Sequence, residues 1–155
     1  MNIFYLADNP EENAAYHVDK HVVKMITEYA QLLSTAVRIS GLDAGYKITH
    51  KNHPSAIWVR ESIQNWFWLA QLAYYLNKEY RYRYDKTVNH KSFDIIESLP
   101  TPVLPNIGLT KFRLAMPDDV KQEDPIESYR NYYINYKQHI ASWKKREIPS
   151  WFMPR

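Results

Sequence analysis

A stripe of polar side chains near the start of the chain has the composition and spacing for acid–base chemistry. It comprises His17, His21, Lys24, Glu28 and Gln31, separated by four, three, four and three residues. On an α-helix these spacings place all five side chains on one side, where they can face a single cleft. The alternative is an ordinary solvated helix surface, because most helices carry polar residues on their outer face.

The same stripe suggests a metal site. Two histidines four residues apart present both imidazoles to one side of a helix, and a nearby carboxylate can complete the ligand set. The chain has no cysteine, which excludes disulfides, zinc–thiolate sites and iron–sulfur clusters. We expect no cofactor, with a metal ion as the alternative; its ligands would be His17, His21, His50, His53 and Glu28.

The segment from His50 to Pro54 could bind an anion. Proline favours the first position of a helix, so this segment is predicted to lie at a helix N-terminus, where backbone N–H groups point outward. Imidazole and ammonium groups beside those N–H groups favour a phosphate or a carboxylate. The alternative is that His53 only caps the helix.

Cationic and aromatic residues are interleaved between Lys78 and Lys91. Such a pattern is typical of surfaces that neutralise and stack on nucleic acid. On a helix, Arg81 and Arg83 point about 200° apart, at ~100° per residue, so only one of them can face a given ligand. A salt-bridged helix end with tyrosines packed inward is the alternative. The residues predicted to bind nucleic acid are Lys20, His50, Lys51, Asn52, Arg60, Arg81, Arg83, His90 and Lys91.

Composition narrows the classes of protein to consider. A length of 155 residues suits one domain, and a formal charge of +3 favours a polyanionic partner only weakly. The sequence has no glycine-rich phosphate loop, nucleophile elbow or dinucleotide fingerprint, which disfavours those ATPase and serine hydrolase templates. No signal-peptide pattern and no apolar run of roughly 20 residues occurs, so we expect a cytoplasmic protein, in the host cytoplasm if viral, without a membrane partner.

The elements that must position these residues are predicted to be helices. The pairs Asn9-Pro10, His53-Pro54 and Asp124-Pro125 each combine a capping residue with a proline, and so predict three helix starts. Apolar residues three and four apart then continue each helix. The first is predicted to end at Gly41, the second at about Tyr84 and the third near Trp143, with a shorter helix at Lys91–Ser98.

The remaining segments are predicted to pack around these helices. MNIFYL is apolar enough for a short strand or an extended arm against the core, and Trp151 and Phe152 should dock on the body. Residues 99–124 contain four prolines and are expected to form a wrapping loop or a lid. The prediction is a single all-α domain over residues 1–155: a compact bundle of three long helices plus short helices, with an N-terminal extended arm and a proline-rich loop.

Several runs of residues together resemble a known group of proteins. The runs are DKHVVKM..E.AQLLST, THKNHPSAIWVRES, EYRYRY, FRLAMPDD and DPIESYRNYY, and they cover nearly the whole chain. They look like a family of small, largely uncharacterised proteins from tailed bacteriophages and some bacteria. More distantly, MNIFYL, the first long helix and Asn52-His53-Pro54 resemble the pyrimidine-dimer DNA glycosylase family, of the endonuclease V type.

The second resemblance implies an all-helical enzyme whose N-terminal amine attacks C1′ of a damaged nucleotide. A helix-borne carboxylate then assists, and the imine intermediate permits strand cleavage. The amine would belong to Met1, or to Asn2 if Met1 were removed. The carboxylate would be Asp19 or Glu28, and Glu28 is favoured because it shares the stripe with Lys24. An α-amino group, with a reference pKa of about 8, is neutral near pH 7 more readily than a lysine, although a buried Lys24 could substitute if desolvation lowered its pKa.

Three functions follow from these patterns. The first is a DNA-acting enzyme, most concretely a glycosylase/lyase on damaged or modified pyrimidines. The second is a metal-dependent phosphoester hydrolase in which the metal activates water. The third is a non-enzymatic phage accessory protein that binds a nucleotide or a host partner. For the first, the candidate catalytic residues are Glu28, Lys24, Asp19, His53 and Met1.

Overall fold

The computed structural model describes residues 1–152, and α-helices make up most of its regular structure. Within these residues there is no strand, and no helix is both long and apolar enough to cross a membrane. The prediction of an all-α bundle is confirmed. The helices are α1 (Pro10–Tyr16), α2 (Asp19–Ile39), α3 (Pro54–Glu61), α4 (Ile63–Arg83), α5 (Lys91–Ser98) and α6 (Pro125–Tyr136), with 3₁₀ turns at Asp118–Val120 and Gln138–Ile140.

The three predicted helix starts are confirmed at α1, α3 and α6. The side chains of Asn9, His53 and Asp124 each accept a backbone N–H of the turn that follows, with proline at the first helical position. The two longest helices, α2 and α4, nevertheless begin without proline. The predicted first and second helices are each interrupted, and the third ends at Tyr136.

Each interruption is stabilised by partners elsewhere in the fold. Ser62 is extended, with φ −151° and ψ 157°, and its hydroxyl accepts the N–H of Asn65 to cap α4. The N–H of Ile63, left without a helical acceptor, donates to the carbonyl of Pro105. At the first break, the N–H of Asp19 donates to the carbonyl of Ser142. Buried N–H groups require acceptors, and these distant carbonyls supply them where the helices are interrupted.

An extended N-terminal arm lies in the centre of the core. Ile3, Phe4, Tyr5 and Leu6 are all buried, and the Tyr5 ring stacks on Phe112 with 4.1 Å between centroids. Within residues 1–152, no backbone–backbone hydrogen bond involves residues 2–8. The polar groups of the arm are bonded by side chains instead. The hydroxyl of Tyr29 accepts the Phe4 N–H, Arg130 donates to the Leu6 carbonyl, and Trp68 donates to the Asp8 carbonyl.

The proline-rich segment wraps the N-terminal half of α4. The amide of Asn65 both donates to the Thr110 hydroxyl and accepts the Thr110 N–H, and Gln64 accepts the Gly108 N–H. At the other end of the chain, the Trp151 ring meets Tyr133 and Phe152 meets Trp143. The predicted wrapping loop and docked tail are therefore confirmed.

A buried charge network joins α1, α2, α4 and the C-terminal segment. Arg83 is fully buried; it donates to Asp19 and Glu79 and to the carbonyls of Ala15 and His17. Glu79 also accepts Arg146. The prediction that Arg83 binds nucleic acid is wrong, because its guanidinium is fully buried and hydrogen-bonded within this network.

Replacing Arg83 should cost far more stability than replacing its exposed neighbour. An Arg83→Met substitution leaves the carboxylates of Asp19 and Glu79 short of a buried partner, so we expect a loss of about 3–5 kcal/mol in the free energy of unfolding. Arg81→Met, on the exposed side of the same helix, should cost less than about 1 kcal/mol. Urea unfolding followed by circular dichroism measures both, and equal losses would contradict the assignment.

Candidate active site

The start of the arm, α2 and the end of α6 enclose a small polar cavity of about 150 Å³. The stripe on α2 contributes His21, Lys24 and Glu28, as the sequence predicted. The arm contributes Met1, and α6 and its C-cap contribute aromatic and cationic groups. The full lining is Met1, Asn2, Phe4, His21, Lys24, Met25, Glu28, Tyr132 and Lys137.

The central feature of the cavity is an amine beside a carboxylate. The Met1 α-amino nitrogen lies 3.3 Å from Oε1 of Glu28, and Lys24 Nζ lies 3.7 Å from Oε2. The side chains of Met1 and Glu28 are 4% and 14% exposed, whereas that of Lys24 is 72% exposed. Lys24 therefore lacks the burial that would let it substitute for the α-amine. A carboxylate this close to an amine can accept its proton and so prepare it as a nucleophile.

Asn2 fixes the direction of the amine. Its Nδ2 donates to the Ala115 carbonyl at 2.8 Å, and its Oδ1 accepts the Ile3 N–H and the Tyr129 hydroxyl, both at 2.8 Å. These three bonds tie the first peptide unit to the wrapping loop and to α6. The sequence analysis treated Asn2 only as a substitute amine; in the structure it positions Met1.

The two histidines of the stripe lie in different environments. His21 lines the cavity, stacks on Phe4 with 4.3 Å between centroids, and bonds the Tyr133 hydroxyl through Nδ1. His17 lies deeper, with Nδ1 on the Asn13 carbonyl and Nε2 on the Tyr29 hydroxyl. It leaves the stripe because the helix breaks between it and α2. Burial lowers the pKa of both His17 and His21 to about 3, and for His21 the charges of Lys137 and Lys24 add to this effect.

The alternative of a metal site formed by the predicted ligand set is not supported by the structure. Within residues 1–152, no three His, Asp or Glu side chains are arranged so that they could hold a metal ion. Both nitrogens of His17 are occupied by hydrogen bonds, and Nδ1 of His53 accepts the Ser55 N–H. His50 is exposed and bonds Thr49. The histidines of the predicted ligand set, His17, His21, His50 and His53, thus serve separate local bonds.

The start of α3 lies within electrostatic reach of the amine site. Burial, followed by the charges of the Met1 ammonium and His50, lowers the pKa of His53, while the Glu28 carboxylate opposes this shift. His53 is half-buried, and its side chain caps α3 by accepting the Ser55 N–H. Lys51 and Asn52 are exposed beside it, and Arg60 donates to the Lys51 carbonyl.

The other candidate residues lie outside the cavity. Asp19 is committed to Arg83, the Ser142 hydroxyl and the Lys144 N–H, which places it in the structural network rather than beside Met1. Arg81 holds the turn after α4 through the Thr87 carbonyl, and His90 caps α5. Lys20 and Lys91 are exposed. The structure therefore unites Met1, Lys24 and Glu28, but not Asp19.

Sequence reasoning missed Lys137, Tyr132 and the role of Asn2. A signal existed for Lys137, because it follows Tyr129 and Tyr133 at intervals of four residues and therefore shares their side of α6. A larger cavity, of about 620 Å³, lies elsewhere, between α4 and the wrapping loop. It is mainly apolar, and no titratable side chain lines it, so it offers no acid–base chemistry.

No protein-family model, curated protein or solved structure matches the chain.

Acid should destabilise the fold through His21. The unfolded chain binds a proton with the ordinary pKa of 6.5, whereas the folded pKa is about 3. Stability is therefore unaffected at neutral pH and falls as the pH drops below about 6.5, by about 1.4 kcal/mol per pH unit for each such histidine, down to about pH 3.

A His21→Gln variant should lose the part of the pH dependence of the free energy of unfolding that comes from His21. Its free energy of unfolding, measured by urea titration at several pH values between about 6 and 4, should fall less steeply than that of the wild type by about 1.4 kcal/mol per pH unit. His139→Gln, an exposed change, is the control and should keep the wild-type slope. Identical slopes for His21→Gln and His139→Gln would refute the neutral His21.

Proposed function

We propose that this protein is a DNA-acting enzyme, a DNA glycosylase with lyase activity on damaged or modified pyrimidines. The observation that carries the proposal is the Met1 amine 3.3 Å from Glu28, in a cavity whose lining includes two lysines and several aromatic rings. The distant resemblance of the arm, the first helix and the Asn52-His53-Pro54 segment to the pyrimidine-dimer DNA glycosylases supports the same chemistry.

The reaction would begin with a proton transfer from the Met1 ammonium to Glu28. The freed nitrogen lone pair attacks C1′ of the target nucleotide, and the bond from C1′ to the base breaks, so that the base departs with the bonding pair and takes up a proton. The C1′–O4′ bond then breaks as the nitrogen lone pair forms the C=N bond, and O4′ takes up a proton, which gives a protonated imine between the amine and C1′. Removal of a proton from C2′ then expels the 3′ phosphate, which cuts the strand.

Burial favours Met1 over Lys24 as the nucleophile. The amine lies 3.3 Å from Glu28 on α2, the Met1 side chain is almost fully buried, and the neighbouring Asn2 is fixed by three hydrogen bonds. Lys24 is exposed and has four rotatable side-chain bonds to immobilise before it can react. A pre-oriented amine avoids most of that entropy cost, which is how proximity contributes to catalysis. Lys24 is better suited to a charged contact with the substrate.

Borohydride trapping tests this mechanism directly. Reduction of the imine should link the protein covalently to duplex DNA that carries an abasic site, and the adduct is visible as a shifted band in a denaturing gel. Glu28→Gln should slow adduct formation at least about 100-fold, the usual contribution of a general base. Glu97→Gln, an exposed change at the end of α5, should trap at the wild-type rate.

The absence of any adduct with abasic, dimer-containing or modified-pyrimidine DNA would refute the glycosylase/lyase proposal. Tight binding of a nucleotide that is left unchanged would favour an accessory binding protein instead. Intact-mass analysis of the same preparation establishes which residue carries the α-amine.

Blocking the α-amine should abolish trapping, whereas removing Lys24 should not. Reductive dimethylation restricted to the N-terminus converts the α-amine to a tertiary amine, which cannot form an imine, and a single glycine added before Met1 displaces the α-amine from Glu28. Each should eliminate the adduct. Lys24→Met should keep trapping within about tenfold of the wild type, since it loses only a charged contact. Digestion of the adduct should place the DNA on the peptide that contains Met1; a cross-link on the Lys24 peptide would reverse the assignment.

A further inference from the structure

The charges around the amine cavity are unbalanced. Three cationic groups line it, the Met1 ammonium, Lys24 and Lys137, against one anionic group, Glu28. Within residues 1–152, Lys137 makes no ion pair; its Nζ lies 5.0 Å from the centroid of the Tyr132 ring. If Glu28 balances the amine, both lysines remain available to a negatively charged ligand.

His21 adds a neutral hydrogen-bond donor to the lining of the same cavity. The Tyr133 hydroxyl accepts the Val18 N–H, so its own proton has Nδ1 of His21 as its acceptor among the described residues. Nδ1 is therefore unprotonated, and Nε2 of the neutral ring carries the hydrogen. Stacking of the ring on Phe4 holds it in place at the cavity wall. The cavity thus offers hydrogen-bond donors from three elements of the fold.

The size of the cavity limits what can enter. Its volume of about 150 Å³ is well below the roughly 300–1,000 Å³ of pockets that enclose a whole small molecule. A single substituent fits better than a complete nucleotide. A group with several acceptor oxygens and a negative charge matches the lining, and a phosphodiester presents both.

We propose that Lys24, Lys137 and the Nε2–H of His21 form a binding subsite for one backbone phosphodiester adjacent to the nucleotide attacked by Met1. The subsite rests on the proposed function only for the identity of the strand as DNA. Lys24 reaches it from α2 and Lys137 from the end of α6, so the two lysines clamp the phosphate from two elements of the bundle. The clamp would hold C1′ of the neighbouring sugar beside the amine.

Binding can be measured apart from chemistry with an unreactive probe. A fluorescein-labelled duplex with one tetrahydrofuran abasic-site analogue cannot form an imine, because it has no aldehyde at C1′. Fluorescence anisotropy gives the dissociation constant for wild type, Lys24→Met and Lys137→Met as salt is varied over about 50–200 mM. Each variant should bind about tenfold more weakly at the low-salt end, as for one lost charge-assisted contact. The slope of log affinity against log salt should fall by about 0.9.

Lys78→Met is the matched control. Lys78 also lies 5.0 Å from the centroid of a tyrosine ring, that of Tyr74, but it does not line the amine cavity. The substitution removes the same charge and the same cation–π contact from another surface. It should lower the affinity and the salt slope less than Lys24→Met or Lys137→Met does. If Lys24→Met and Lys137→Met bind no more weakly than Lys78→Met, the subsite is refuted.

A second experiment tests whether the group that the two lysines bind is a phosphodiester. Each phosphate flanking the analogue is replaced in turn by an uncharged methylphosphonate. At one of these positions the affinity of the wild type should fall about tenfold, while that of Lys137→Met should not fall further, because the lost groups are the two halves of one contact. If no position abolishes the difference between wild type and Lys137→Met, the inference is wrong.

The two proposals can fail separately. Trapping without any dependence of probe binding on Lys24 and Lys137 would leave the glycosylase mechanism intact and overturn the subsite. Lysine- and phosphate-dependent binding without an adduct would establish the subsite and overturn the mechanism. A wild-type protein that does not bind the probe at all would refute the subsite as well.

Discussion

The structure depends on an extended segment buried inside a helical protein. Helices satisfy their own backbone groups, but an extended arm cannot, and each unpaired buried N–H or carbonyl costs about 1–3 kcal/mol. The arm therefore dictates much of its surroundings: Arg130 and Trp68 serve its carbonyls, and Tyr29 serves its N–H at Phe4. These hydrogen bonds fix the position of the first residues of the chain. The α-nitrogen of Met1 is held beside Glu28.

Helix α2 links this amine to the rest of the fold. His21, Lys24 and Glu28 all lie in its first three turns, so the site is only as fixed as the N-terminal end of that helix. Asp19 anchors that end through the buried Arg83 and through the C-terminal segment at Ser142 and Lys144. The sequence analysis assigned Asp19 and Arg83 to catalysis and to DNA. Their buried pairing explains why neither is free for those roles.

Local signals predicted the helix starts and the whole of α5, because capping side chains and proline act on adjacent residues. They did not predict the breaks at His17 and Ser62. Those breaks depend on carbonyls of Ser142 and Pro105, which only the folded chain brings near. Periodicity also indicated that just one of Arg81 and Arg83 could face a ligand, and the structure exposes Arg81 and buries Arg83.

The candidate site was predictable to the extent that it lies on one helix. Lys24 and Glu28 are one turn apart, and their shared direction follows from helical geometry. Lys137 is more than a hundred residues away in sequence and enters the cavity only because α6 packs against the arm. Met1 entered the prediction through a family resemblance. Its position beside Glu28 depends on Asn2 and Tyr129, a pair that no local pattern connects.

Three of the chain's 13 tyrosines form hydrogen bonds with the backbone of the arm and of the segments around it. The hydroxyls of Tyr29, Tyr129 and Tyr133 each accept one backbone N–H, from Phe4, Ala115 and Val18, and each also contacts an acceptor. They do for extended and irregular backbone what a neighbouring β-strand does in a sheet. Phenylalanine would fill the same space at these positions and leave the backbone without its partner. At these three positions tyrosine is part of the main-chain hydrogen-bonding system, so replacement by phenylalanine removes a backbone hydrogen bond as well as a hydroxyl group.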